Sequence, residues 1–131
     1  MSKILLVDDD EDMVEICSRL LPRKGYDLAL ARNAQEAVDK AQEEKPDLIL
    51  MDMRMPLSET EPVDDRAGIQ ATKQIRKIDS LKGVPIIALT GHMMTKFREN
   101  ILEAGCNDLL AKPIDDFAKL LGIIADHLPS K

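Results

Sequence analysis

The sequence predicts an α/β protein, a parallel β-sheet covered by helices on both faces. Five short apolar runs alternate with helix-period segments from one end of the chain to the other, and that alternation is the pattern of repeated strand–helix units. Several of the runs are apolar at every position, as strands buried on both faces tend to be. No internal repeat, low-complexity tract or linker interrupts the 131 residues, so the chain reads as one domain over 1–131 built on one core.

Strands are expected at Ile4 to Val7, Tyr26 to Ala31, Leu48 to Met51, Ile86 to Leu89 and Asp108 to Ala111. The first helix follows from Met13, Ile16 and Leu20 on one face, ending at Pro22, and the second from Ala34, Ala37, Val38 and Ala41, opened by Asn33 with Glu36 as a capping box. Ile69, Thr72 and Ile75 mark a third helix. Met94, Phe97, Ile101 and Ala104 mark a fourth that stops at Gly105. Phe117, Leu120, Leu121, Ile124 and Leu128 mark a fifth, with Asp115 as its N-cap candidate. The one irregular stretch is 57–67, which holds Pro62 and four acids, Glu59, Glu61, Asp64 and Asp65.

Composition narrows the function. A formal net charge of −6 disfavours direct contact with nucleic acid or anionic lipid, which depends on Lys and Arg neutralising phosphates. Protein partners or a cation fit better. Two isolated cysteines, Cys17 and Cys106, are too few for a disulfide framework or a Cys-rich metal site and read as buried reduced thiols, which fits a cytoplasmic protein. No apolar run approaches the ~20 residues of a membrane span. The N-terminal Met-Ser-Lys leads into a short apolar stretch that soon meets acids, so neither a signal peptide nor an anchor is expected.

In open α/β sheets ligands bind outside the carboxyl ends of the strands. There the sequence places Asp8-Asp9-Asp10 after the first strand, Asp52 after the third, Thr90 after the fourth and Lys112-Pro113 after the fifth. Carboxylates within about 4 Å of one another repel by roughly 1 to 4 kcal/mol per pair. Either protons are taken up or a hard divalent cation sits among the oxygens. Mg²⁺ suits the second solution, since it uses one or two carboxylates plus substrate phosphate. A lysine beside such a metal makes sense when a phosphoryl group arrives. The set therefore points to phosphoryl transfer with Asp52 as nucleophile and Thr90 as hydrogen-bond donor.

Each residue also has a plainer reading. Asp8 to Asp10 alone would serve as acids at a helix N-terminus. An EF-hand loop starting at Asp8 fails, with Met13 at its sixth position and Arg19 at its twelfth. Asp52, Thr90 and Lys112 are each plausible singly as loop residues, and their coincidence at one edge is what argues otherwise. Arg54 and His92 flank the set and receive no catalytic role. His127 reads as a surface residue, and Met51, Met53 and Met55 read as packing.

The segments Ile4 to Asp10, Asp47 to Pro56, Pro85 to Thr90 and Ala104 to Pro113, in this order and spacing, resemble response-regulator receiver domains over nearly the whole chain. The resemblance implies a flavodoxin-like doubly wound (βα)5 fold with strand order 2-1-3-4-5, and Asp52 as phosphoacceptor. It implies Asp9, the Asp52 carboxylate and the Arg54 backbone carbonyl as Mg²⁺ ligands, with Asp8 acting through metal-bound water. Thr90 and Lys112 would contact the phosphoryl group, and a cis Lys112–Pro113 peptide would aim the lysine. The donor would be a sensor histidine kinase or a histidine phosphotransfer protein. The output would be a downstream protein partner or onward relay of the phosphoryl group, in a protein that catalyses only its own phosphorylation and dephosphorylation. The wording around Gly68 to Thr72 and Gly105 to Asp108 is similar to receivers of hybrid kinases and phosphorelays.

Two features depart from the family. The position three before the lysine, usually Tyr or Phe, is Leu109, which leaves aromatic-gated switching without its ring; and eleven residues, 57–67, stand where only a few are usual, with Ala67 in place of the usual Asp. The long loop is either partner-specific or a tolerated insertion, since doubling a loop costs only about 0.6 kcal/mol in closure entropy. Three other functions compete. A phosphatase of the haloacid dehalogenase type normally has a second Asp where this chain has Arg54. A pseudo-receiver that only scaffolds partners would not need the intact acid, hydroxyl and lysine set. A flavin carrier would need a phosphate loop after the first strand and aromatic stacking, and the chain has no Trp and one Tyr.

Overall fold

The computed structural model describes residues 2–128. In chain order its elements are β1 (Lys3–Val7), α1 (Glu11–Arg23), β2 (Asp27–Ala31), α2 (Ala34–Glu44), β3 (Leu48–Asp52), the short strands β4 (Met55–Pro56) and β5 (Val63–Asp64), α3 (Ala67–Arg76), a 3₁₀ turn (Asp79–Leu81), β6 (Ile86–Thr90), α4 (Thr95–Ala104), β7 (Asp108–Ala111) and α5 (Phe117–His127). Five strands form one parallel sheet in the order β2-β1-β3-β6-β7. With β4 and β5 set aside as a hairpin of their own, this is the expected 2-1-3-4-5 arrangement.

The continuous apolar runs explain the layers. Alternate side chains of a strand leave opposite faces. Leu5, Val7, Ile49, Met51, Ile86 and Ala88 therefore pack with the buried residues of α2, α3 and α4, such as Ala37, Ile75 and Ile101. Ile4, Leu6, Leu48, Leu50, Ile87 and Leu89 pack with those of α1 and α5, such as Cys17, Leu21, Leu120 and Ile124. A run apolar at every position thus feeds two cores at once. Both cysteines are buried free thiols, and burial pushes each up to about 11. Among the described residues no helix is long and apolar enough to cross a membrane.

The structure adjusts several expectations. The buried face of α1 is Met13, Val14, Cys17 and Leu21, and Ile16 is 41% exposed. Pro22 sits inside the last turn, where its missing N–H removes one bond and the helix ends a residue later. Met94 caps α4 and is 75% exposed, outside the buried face assigned to it. Asp116, not Asp115, caps α5, accepting from the amides of Ala118 and Lys119. Asn33 caps α2 as expected, accepting from the Glu36 amide at 2.8 Å.

Parallel register levels the strand ends. Val7 pairs with both Ala31 and Met51, so Asp8 and Asp52 emerge side by side; Asp52 pairs with Leu89, and Thr90 with Ala111. Most of the irregular stretch belongs to an ordered hairpin that begins two residues before it. Met55 pairs with Asp64 and Pro56 with Val63, and the Gln35 amide donates to the Leu57 carbonyl at 2.9 Å.

Gly68 fixes the chain just after β3. Its amide donates to the Met53 carbonyl at 3.1 Å, and a Cβ there would lie 2.3 Å from the Asp52 carbonyl oxygen and 2.7 Å from Met53 Cα. Those are backbone atoms, which cannot swing aside. Gly68→Ala should therefore cost about 1–3 kcal/mol of stability. A lowered urea midpoint at unchanged slope would show it. Gly83→Ala, where an added Cβ meets nothing within 4 Å, is the control.

Candidate functional site

Asp8, Asp9 and Asp52 meet at the carboxyl edge, each offering a carboxylate oxygen within 4.8 Å of the others. The three acids after β1 divide their labour. Asp10 is the N-cap of α1, its Oδ1 accepting from the Asp12 amide at 3.0 Å, so the helix-terminus reading holds for this residue. Asp8, by contrast, is fully buried. Its Oδ1 accepts from the Asp10 amide and its Oδ2 from Lys112 Nζ, each at 3.0 Å.

Lys112 reaches across from the end of β7, with Nζ 3.5 Å from Asp52 Oδ1. Its peptide bond to Pro113 is cis. Asp52 is 3% exposed, and its Oδ1 also accepts from the Arg54 amide at 3.4 Å. Thr90, 2% exposed, spends its hydroxyl on the backbone two residues on. It donates to the His92 carbonyl at 3.2 Å and accepts from the His92 amide at 3.0 Å. Arg54 contributes its backbone to the site, while its guanidinium points to the hairpin and donates from Nε to Asp65 Oδ1 at 2.8 Å.

The charges do not balance. Burial, then the neighbouring Asp8, hold the Asp52 carboxyl up at about 8, against the pull of Lys112 and the Arg54 amide. Burial lowers Lys112, but Asp52 and Asp8 outweigh it and the net shift is upward. One ammonium thus serves a cluster of three carboxyl groups and contacts two of them. A set of clustered oxygen donors with surplus negative charge fits a hard divalent cation such as Mg²⁺.

The structure therefore brings Asp8, Asp9, Asp52 and Lys112 together and places Thr90 one strand away, engaged elsewhere. Sequence reasoning missed three contacts around them. The His92 backbone holds Thr90; the His92 ring meets Phe97 edge-on at 5.6 Å; and the Arg66 guanidinium carbon lies 5.8 Å from the centre of the same Phe97 ring. No motif announces them: the first two depend on the conformation of the loop after β6, and the third on where the hairpin folds back.

Comparison with known proteins gives a consistent result. The family model described as response regulator receiver domain matches residues 4–125. The polar-differentiation response regulator DivK of Brucella anthropi is 34% identical over 111 residues, 85% of this chain and 84% of that protein. Among solved structures, the receiver domain of sensor histidine kinase PA1611 from Pseudomonas aeruginosa PAO1, which has a magnesium ion coordinated in its active-site cleft, superposes with a TM-score of 0.84. It is 36% identical, with 98% of each chain covered. Chemotaxis response regulator CheY4 of Vibrio cholerae superposes with a TM-score of 0.86 at 28% identity, covering 98% of this chain and 99% of that one. The chain belongs to the response regulator receiver domain family.

Proposed function

We propose that this receiver is a phosphorylation-dependent switch whose phosphoacceptor is Asp52. The observation that carries the reading is the Lys112 ammonium lying between two buried carboxylates from different strands, 3.0 Å from Asp8 and 3.5 Å from Asp52. An ammonium there is in reach of anything attached to Asp52. The donor is the phosphohistidine of a sensor histidine kinase or a histidine phosphotransfer protein, as the family resemblance implies.

An ionised Asp52 oxygen attacks phosphorus; the P–O bond forms as the donor's P–N bond breaks, and the electron pair leaves on the imidazole nitrogen, which takes up a proton. Asp8, Asp9, Asp52 and the Arg54 carbonyl would hold Mg²⁺. Bound there, the ion supplies positive charge that favours ionised Asp52 and offsets charge on the phosphoryl oxygens. Lys112 exchanges its contact with Asp52 for a phosphoryl oxygen, as a mobile point charge readily does. Thr90 gives up the His92 carbonyl and donates its hydroxyl proton to a second oxygen, a stronger, charge-assisted bond. The output is either altered binding of a downstream protein or transfer of the phosphoryl group to another histidine.

Intact-protein mass after incubation with acetyl phosphate tests the assignment. The expected result is a Mg²⁺-dependent phosphoryl adduct on the wild type that is missing from Asp52→Asn. An adduct of equal yield on the variant would place the acceptor elsewhere.

The raised Asp52 carboxyl predicts how stability varies with pH in chelator-treated protein. Its folded value, about 8, lies above the unfolded value near 3.8, so the native state holds the extra proton between them. Its contribution is complete below the lower value and is lost as pH rises toward the upper one. Metal-free Asp52→Asn should accordingly melt several degrees higher than wild type at pH 8, with the gap closing toward pH 4. Saturating Mg²⁺ should narrow it at pH 8. Thermal denaturation of both proteins across that range measures the effect.

A further inference from the structure

The residues that surround Thr90 form a connected chain. Its hydroxyl is tied to the backbone of His92 in both directions, at 3.0 and 3.2 Å. The His92 ring stands edge-on to Phe97, at 67° and 5.6 Å between ring centres. Arg66 lies over the same ring at 5.8 Å. Arg66 directly follows Asp65, which grips Arg54 two residues after Asp52. The end of the hairpin is thereby fastened both to the turn after the candidate phosphoacceptor and to the first turn of α4. Asp65, Arg66, His92, Met94 and Phe97 enclose a cleft of about 240 Å³. Leu109, at the position where the family usually carries an aromatic ring, packs against the core on the α4 side of the sheet.

We propose that Phe97 and Arg66 are positioning residues: Phe97 meets the His92 ring edge-on and Arg66 backs Phe97, and together they hold the His92 backbone, and through it the Thr90 hydroxyl, in a bond that keeps it from a phosphoryl group on Asp52. The inference rests on the phosphoacceptor reading of Asp52. When the phosphoryl group draws Thr90 across, the bonds to His92 break and the stack loosens, freeing the hairpin end. Such coupling is reciprocal. Anything that weakens the stack favours the phosphoryl-bound arrangement, so loss of these side chains should strengthen binding at a site neither of them touches.

Beryllofluoride with Mg²⁺, a stable stand-in for the phosphoryl group, provides the measurement. Fluorine NMR reads occupancy, and the His92 ring protons read the stack. In wild type, binding should shift the His92 resonances. Phe97→Leu should bind beryllofluoride about three- to tenfold more tightly, the range expected for one aromatic contact. Arg66→Ala should bind about two- to fivefold more tightly, as suits an exposed cation–π contact. Arg66→Lys, which keeps a cation over the ring, should return toward wild type, and Arg66→Ala should add nothing on the Phe97→Leu background.

A merely structural role would lower stability without tightening the site. Unchanged or weaker binding in both folded variants overturns the proposal, as does occupancy of the wild-type site with the His92 resonances unmoved. Should Phe97→Leu fail to fold, the exposed Arg66 variants decide it. No bound fluorine in wild type would instead overturn the phosphoacceptor reading, and this inference with it.

Discussion

Parallel pairing is the constraint on which the rest of the molecule depends. Because β1, β3, β6 and β7 run the same way, their carboxyl ends reach one edge, and the register sets how far each side chain stands beyond it. Asp8 and Asp52 stand level because Val7 pairs with Met51. Lys112 lies beside Thr90 because its amide closes the β6–β7 ladder on the Thr90 carbonyl at 2.8 Å. A slip of one residue in any pairing would send each strand's side chains to the opposite core, where their shapes do not match, and would displace the acids from the edge. The two cores, fed by alternate residues of the same strands, oppose such a slip from both sides.

That rigid frame sustains an electrostatic conflict. Burying Asp8 and Asp52 side by side opposes ionisation, and the single lysine between them only partly relieves it. The arrangement is stable because every described buried side-chain nitrogen and oxygen still has a hydrogen-bond partner. The remaining imbalance is one of charge, and charge is what a cation or an incoming phosphoryl group changes.

The sheet and the acid cluster were legible in the sequence because both obey simple rules: apolar runs mark buried strands, and strand ends in such sheets collect ligands. The fully apolar runs at 4–7, 48–51 and 86–89 left no doubt about burial on both faces. Helix faces were less secure. Ile16 falls at the right period in α1 yet lies at the edge of its apolar stripe, where small rotations decide exposure. Met94 continues the period of α4 one residue before the point at which the helix begins. The hairpin of 55–64 was hidden for another reason. Its strands are two residues each, too short for any periodicity, and its anchors are long-range contacts of Gln35, Arg54 and Phe97. Likewise, the sequence gives Thr90 as a hydroxyl at a strand end but not the neighbour that occupies it.

Gly68 gives the site a mechanical asymmetry. Its backbone presses against the Asp52 carbonyl and Met53 with no room for even a methyl group, so the chain beneath the acid is backed by the start of α3 as a workpiece is backed by an anvil. Across the site, Gly91 lies between Thr90 and His92, and a Cβ placed there would meet nothing within 4 Å. One wall is braced by backbone; the other is held through side chains, with Phe97 and Arg66 standing behind the His92 ring. A side chain can change rotamer where a backbone atom cannot yield, so the loop that carries His92 is the wall with room to adjust.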